Sequence, residues 1–257
     1  MTGNTALLLC YDGTAYHGWQ TQKNGVSVQQ TIERALEKSL GRRVRLSGVG
    51  RTDAGVHARR YVANFLGPCA IPLARLPLAL NSRLPTDIAI LAAAAVPDGF
   101  DARFDCRRKE YTYLIARQKM RDPFLVHRAY HHPYPLDVGR MQQAAGHLIG
   151  RHDFAALRST GTPVSSTVRT VFDCRVEEEG ARLRIRVSAD GFLYHMVRGI
   201  AGTLLYVGQG KLAPADIPAL LEGGRRADSG PNLPACGLYM TRLWYDTPAL
   251  QALQLDQ

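Results

Sequence analysis

Two amphipathic stretches lie at a constant offset along the chain, and that shared spacing limits the possible folds more than any other feature of the sequence. In the first, Ile32, Ala35, Leu36 and Leu40 recur at helical spacing before Gly41. In the second, Met141, Ala144, Ala145, Leu148 and Ile149 form a stripe before Gly150. Ile32 aligns with Met141, Ala35 with Ala144, Leu36 with Ala145 and Leu40 with Ile149, and an arginine follows each glycine (Arg42, Arg151). Ser27 with Gln30 gives the first stretch a capping-box pattern, and Asp137 caps the second. The common offset predicts a duplicated strand–helix–strand unit.

Strand-like runs surround both helices. In the first half these are residues 6–11, 61–65 and 88–95, with an apolar run at 73–80 broken by Pro77. The second half opens on Arg103, Arg107, Arg108 and Lys109, which lead into a strand at 111–115. Further strands are expected at 168–176 and 183–187, joined by a hairpin loop at 177–180, and a last one at 237–245. Arg182, Arg184 and Arg186 alternate with Leu183, Ile185 and Val187, so their face either meets phosphate or is simply solvated. A helix at 195–207 carries Arg198 on its first turn, and a shorter one follows at 214–221. Strands and helices mix without strict β-α-β alternation, so the expected class is antiparallel α+β, divided into halves at 1–100 and 101–257.

With 257 residues, 46% hydrophobic and 21% charged, the chain reads as soluble and globular. No apolar run approaches a membrane span, and residues 6–10 are too short for a signal segment, so cytoplasmic residence is the default. Lys and Arg number 32 against 22 Asp and Glu, a net charge of +10 that favours an anionic partner, most commonly nucleic acid. Five scattered cysteines without a C-x-x-C pair suggest neither a disulfide framework nor a zinc site. His131, His132, His147 and His152 also lack partners at ligand spacing, so no metal is expected.

The chemistry-bearing stretch is Gly48-Val49-Gly50-Arg51-Thr52-Asp53-Ala54-Gly55-Val56-His57-Ala58. Its three glycines allow positive φ and close approach. Asp53 has Arg51 two residues before it and His57 four after. A lone acid beside positive charge stays ionised, which suits a nucleophile or an electrostatic stabiliser. A glycine-rich connection with a solvated salt bridge is the other reading open at this point. Upstream, Tyr16-His17-Gly18-Trp19 could stack on bases, or Trp19 could anchor a packed loop. His57 has no triad partner and is given a structural role.

Gly50-Arg51-Thr52-Asp53-Ala54-Gly55-Val56-His57-Ala58, with Tyr11-Asp12-Gly13-Thr14 and Gly18-Trp19-Gln20, resembles the signature of the tRNA pseudouridine synthase A (TruA) family. The resemblance continues through Ala102-Arg103-Phe104, Tyr111-Thr112-Tyr113, His195-Met196-Val197-Arg198 and Gly237-Leu238-Tyr239, and so covers nearly the whole chain. Asp101, Asp105, Leu157, Thr241 and Arg242 depart from the usual family residues, but none lies in the signature loop. The resemblance implies two ferredoxin-like (RRM-like) halves joined into one mixed, mainly antiparallel sheet flanked by helices, with an RNA cleft between the halves. It also implies a homodimer acting on the anticodon arm of tRNA at positions 38–40, without a cofactor.

Pseudouridylation breaks the N1–C1′ bond of a uridine, turns the base and rejoins it through C5. The resemblance assigns Asp53 as the nucleophile, paired with Arg198. It gives Arg51 a hold on the flipped nucleotide or its phosphate, Tyr111 a stacking role against the extruded uracil, and Leu238 a place against the same base. Two rivals stand beside this reading. One is a non-catalytic RNA-binding protein. The other is a carboxylate nucleosidase, which needs a second acid that no sequence neighbour of Asp53 supplies.

Overall fold

In a computed structural model, residues 3–161 and 163–253 are described. The chain begins with strand β1 (Asn4–Tyr11), helix α1 (Val28–Leu40), β2 (Ser47–Gly48), β3 (His57–Leu66), α2 (Leu76–Asn81) and β4 (Ile88–Val96). It continues through β5 (Cys106–Ala116), β6 (Tyr130–His131), α3 (Val138–Gly146), β7 (Gly150–Asp153), β8 (Val168–Glu179) and β9 (Arg182–Ala189). It closes with α4 (Met196–Gly208), α5 (Ile217–Leu221), β10 (Leu238–Tyr245) and α6 (Pro248–Gln251). The α+β class therefore stands. The chain forms two compact units, Met1–Lys109 with Tyr239–Gln257, and Glu110–Leu238.

In the first unit the strand order is β4-β1-β3, with β2 on the outer side of β3 and every one of these pairs antiparallel. β10 then pairs with β3 in parallel, matching Tyr239 to His57 and Met240 to Ala58. α1 forms because Val28, Ile32, Ala35 and Leu36 make one buried stripe. The Ser27 side chain accepts from the Gln30 N–H at 3.2 Å, but the returning half of the expected capping box does not form. Gly41 ends the helix in the left-handed region at φ 67°. The run at 73–80 is not broken by Pro77: from Leu76 onward it is helix α2, with the proline in the first turn, where a missing N–H costs nothing.

The second unit orders its strands β5-β9-β8-β7, with the β7–β8 and β8–β9 pairs antiparallel. Asp137 caps α3 by accepting from the Arg140 N–H. The helix ends at Gly146, short of the expected stripe. Leu148 is buried beyond it, whereas Ile149 is exposed and Gly150 begins a strand at φ 117°. The aligned pairs Ile32/Met141, Ala35/Ala144 and Leu36/Ala145 are all buried helix positions, and the correspondence fades beyond them. Residues 177–179 extend β8 and are not loop. Arg186 pairs with Glu177 at 3.1 Å and Arg184 with Glu179 at 2.5 Å, so this arginine face is largely neutralised within its own hairpin.

Candidate active site

The loop carrying Asp53 leaves β2 and enters β3, and the first unit fixes its backbone from several sides. Val49 is fully buried, and its N–H donates to the Val62 carbonyl at 2.9 Å. The Tyr61 hydroxyl donates to the Gly50 carbonyl at 2.5 Å, and Lys109 Nζ donates to the Val49 carbonyl at 2.7 Å. Ser47, at the stem, donates to Asp101 at 2.7 Å. Asp101 also accepts from the Arg103 and Phe104 N–H groups, and Asp105 accepts from the Asp101 N–H. The two departures from the family pattern thus brace the turn behind the loop.

The segment following β1 packs beneath the loop. Trp19 is 2% exposed and stacks on Tyr61 with ring centroids 4.0 Å apart, so it is a packed anchor and offers no stacking face to a base. The Trp19 backbone N–H donates to the Thr52 carbonyl at 3.2 Å, and the buried Tyr11 hydroxyl shares a hydrogen bond with Thr52 Oγ1 at 2.9 Å. Burial pushes the Tyr11 phenol well up, opposed by the Thr52 bond, so it stays neutral. Gly18, at φ 82°, has no room for a side chain: a Cβ there would lie 2.2 Å from the Thr52 carbonyl oxygen. Gly13 is pressed equally close, with Val56 oxygen 1.9 Å from a Cβ position.

At the far end of the loop the Val56 N–H turns back to the Asp53 carbonyl at 3.2 Å. His57 is the first residue of β3 and 2% exposed. Its ring stacks on Tyr239 at 4.6 Å. The Gly13 N–H points at His57 Nδ1 from 3.0 Å, and Asp12 Oδ1 stands 3.1 Å from the same nitrogen. Thr52, Val56 and His57 are buried and bonded, while Asp53 is half-buried and Arg51 and Ala54 are exposed. A rigid support presents one carboxylate at a glycine-flanked tip.

Tyr111, Arg198 and Leu238 belong to the second unit. Tyr111 is buried in β5 and meets the Phe192 ring edge-on at 5.1 Å. Arg198, on the first turn of α4, donates from Nε to the Leu233 carbonyl at 2.7 Å, and the Leu233 N–H returns a bond to the Arg198 carbonyl at 3.2 Å. This pair fixes the stem of Arg198. Its charge also acts on the Tyr113 hydroxyl, which burial and Cys236 push strongly upward and which Arg198 draws back. His195 precedes α4 at φ 61°, with Nδ1 2.9 Å from Ser159 Oγ, and sets the start of the Arg198 turn. Leu238 is 5% exposed at the start of β10.

Among the described residues, no group of three or more His, Cys, Asp or Glu stands together as a metal-binding set, and no helix is long and apolar enough to cross a membrane. Sequence reasoning passed over Lys109, Tyr61 and Tyr11 as parts of this site. The signal available for Lys109 was its place in a basic run two residues before Tyr111; Tyr11 stood in the motif Tyr11-Asp12-Gly13-Thr14, and for Tyr61 there was only strand periodicity.

A carboxylate on a braced glycine loop within a basic α+β protein fits the class of pseudouridine synthases, which are isomerases. A family model described as tRNA pseudouridine synthase matches residues 9–105 and 144–246, and the chain belongs to that family. Asp53, Arg51, Arg198 and Leu238 fall inside the matched segments, and Tyr111 falls between them. The chain is similar to the tRNA pseudouridine synthase A of Thermoanaerobacter sp. (strain X514), 44% identical over 94% of this chain and 99% of that one. The corresponding protein of Acetivibrio thermocellus is 45% identical and that of Geotalea daltonii 46%, each with the same coverage. A chain from a solved structure of a Cbf5-Nop10-Gar1 complex aligns at a TM-score of 0.33 and 14% identity, covering 78% of this chain and 54% of that one, a likeness too low to carry weight.

Proposed function

We propose that the protein converts uridine to pseudouridine in the anticodon arm of tRNA, at positions 38–40, with Asp53 as the attacking carboxylate and no cofactor. Family membership and relatives named tRNA pseudouridine synthase A over almost their full length support the reaction and its substrate class. The single observation that carries the assignment to Asp53 is its half-buried position on a loop whose backbone is braced at Val49, Gly50 and Thr52. The N1–C1′ bond breaks, the base turns, a C5–C1′ bond forms, and the C5 proton is lost as N1 regains one. Attack at C1′, attack at C6 and removal of a 2′ proton all use the same group, an ionised carboxylate held still.

In this reading Arg198 pairs with Asp53, Arg51 holds the flipped nucleotide or its phosphate, Tyr111 stacks on the extruded uracil and Leu238 packs against it. The enzyme acts as a cytoplasmic homodimer. The test is to incubate the purified protein with unmodified tRNA transcripts and map pseudouridine by carbodiimide-dependent reverse-transcription stops. Stops at positions 38–40 are expected. Free uracil among the products would favour the nucleosidase, and tRNA bound but unaltered would leave an RNA-binding protein.

A further inference from the structure

Lys109 is a half-buried cation to which the reaction as described gives no task. It ends the basic run Arg107-Arg108-Lys109 in β5, inside the first unit. Its Nζ is tied to the Val49 carbonyl, which accounts for one of its three N–H donors. Among the described residues no carboxylate pairs with it. Burial lowers its pKa, Cys106 opposes that shift, and Arg103 adds to it. The side of Gly50 that faces it is open: a Cβ built there would meet Nζ at 3.8 Å and, outside Gly50 and its chain neighbours, no other heavy atom within 4 Å. An ammonium is thus held at the base of the Asp53 loop with two donors uncommitted, facing the open side of Gly50.

We propose that Lys109 binds a phosphate of the RNA strand adjacent to the nucleotide presented to the loop. The inference rests on the RNA-modifying function above. A lysine acts on phosphate as a point charge and needs no fixed fork, so one anchored end and two spare donors suffice. The Val49 bond keeps the ammonium in place before RNA arrives, so little of its side-chain freedom is left to lose on binding. An anion there also supplies the counter-charge that the buried ammonium lacks.

The test uses the full-length protein and an unmodified tRNA transcript, with affinity measured across a salt series. K109Q is expected to weaken binding severalfold and to reduce the slope of log K against log salt by about 0.7–0.9, the share of one phosphate contact. K109R should keep the wild-type slope. If K109Q lowers turnover or melting temperature while the slope is unchanged, Lys109 is only a clamp on Val49 and the proposal falls. A second measurement needs no variant: wild-type protein should bind more weakly when one of the two phosphates flanking the target uridine is a neutral methylphosphonate. Undiminished binding to both substituted RNAs would overturn the proposal even if K109Q failed to fold. Pseudouridine mapping with wild-type protein reports separately on the function itself, so failure of one is not mistaken for failure of the other.

Discussion

Gly18 decides whether the Asp53 loop can close on its support. A methyl there would meet the Thr52 carbonyl at 2.2 Å on a backbone already at φ 82°. Gly18→Ala is expected to cost about 1–3 kcal/mol from the backbone conformation alone, read as a lower denaturant midpoint, with a further loss of turnover as Thr52 and Asp53 shift. Tyr61→Phe keeps the stack on Trp19 but removes the bond to the Gly50 carbonyl. It should lose about 0.5–1.5 kcal/mol and slow single-turnover conversion while leaving tRNA affinity near wild type. At this scale the sequence showed which residues could do chemistry, because an acid among glycines stands out. It did not show what holds them. Tyr11, Tyr61 and Lys109 reach the loop from distant strands, and no local spacing encodes that convergence.

Among the elements, the helices were the most legible. Ser27, Asp137 and Gly41 act where capping chemistry places them, and the buried stripes of α1 and α3 follow helical periodicity. Lengths were less legible: β3, β5 and β8 all run beyond the expected strands, because pairing partners extend a strand past the apolar run that announces it. Strand β6 leads directly to a group that ties stability to pH. His132 is buried, and burial, aided by His131 and Lys211, lowers its pKa below the ordinary 6.5. A depressed folded-state value means that the unfolded chain binds the proton first as pH falls. The stability linked to His132 is therefore complete above about pH 6.5 and is lost as pH drops through the lower folded-state value. Urea midpoints measured from pH 7.5 to 5 should fall less steeply for His132→Gln than for wild type; parallel curves would contradict this origin.

For the molecule as a whole, the net charge of +10 predicts tRNA affinity that falls steeply with salt. Arg184 and Arg186 should contribute little, since Glu179 and Glu177 already neutralise them. Replacing both with glutamine is expected to change the salt slope by well under the about 0.7 per residue of a lost phosphate contact, in contrast to Lys109. The α+β class was readable from the order of elements, but the return of β10 to the first unit beside β3 was not, since an apolar run does not name its neighbour. The central claim is that a single carboxylate carries the reaction, and replacing Asp53 by Asn tests it most directly. The substitution removes the charge and keeps the shape. Pseudouridine mapping on tRNA incubated with Asp53→Asn should show no conversion, while its tRNA affinity stays near wild type. Substantial conversion by that variant would contradict the account.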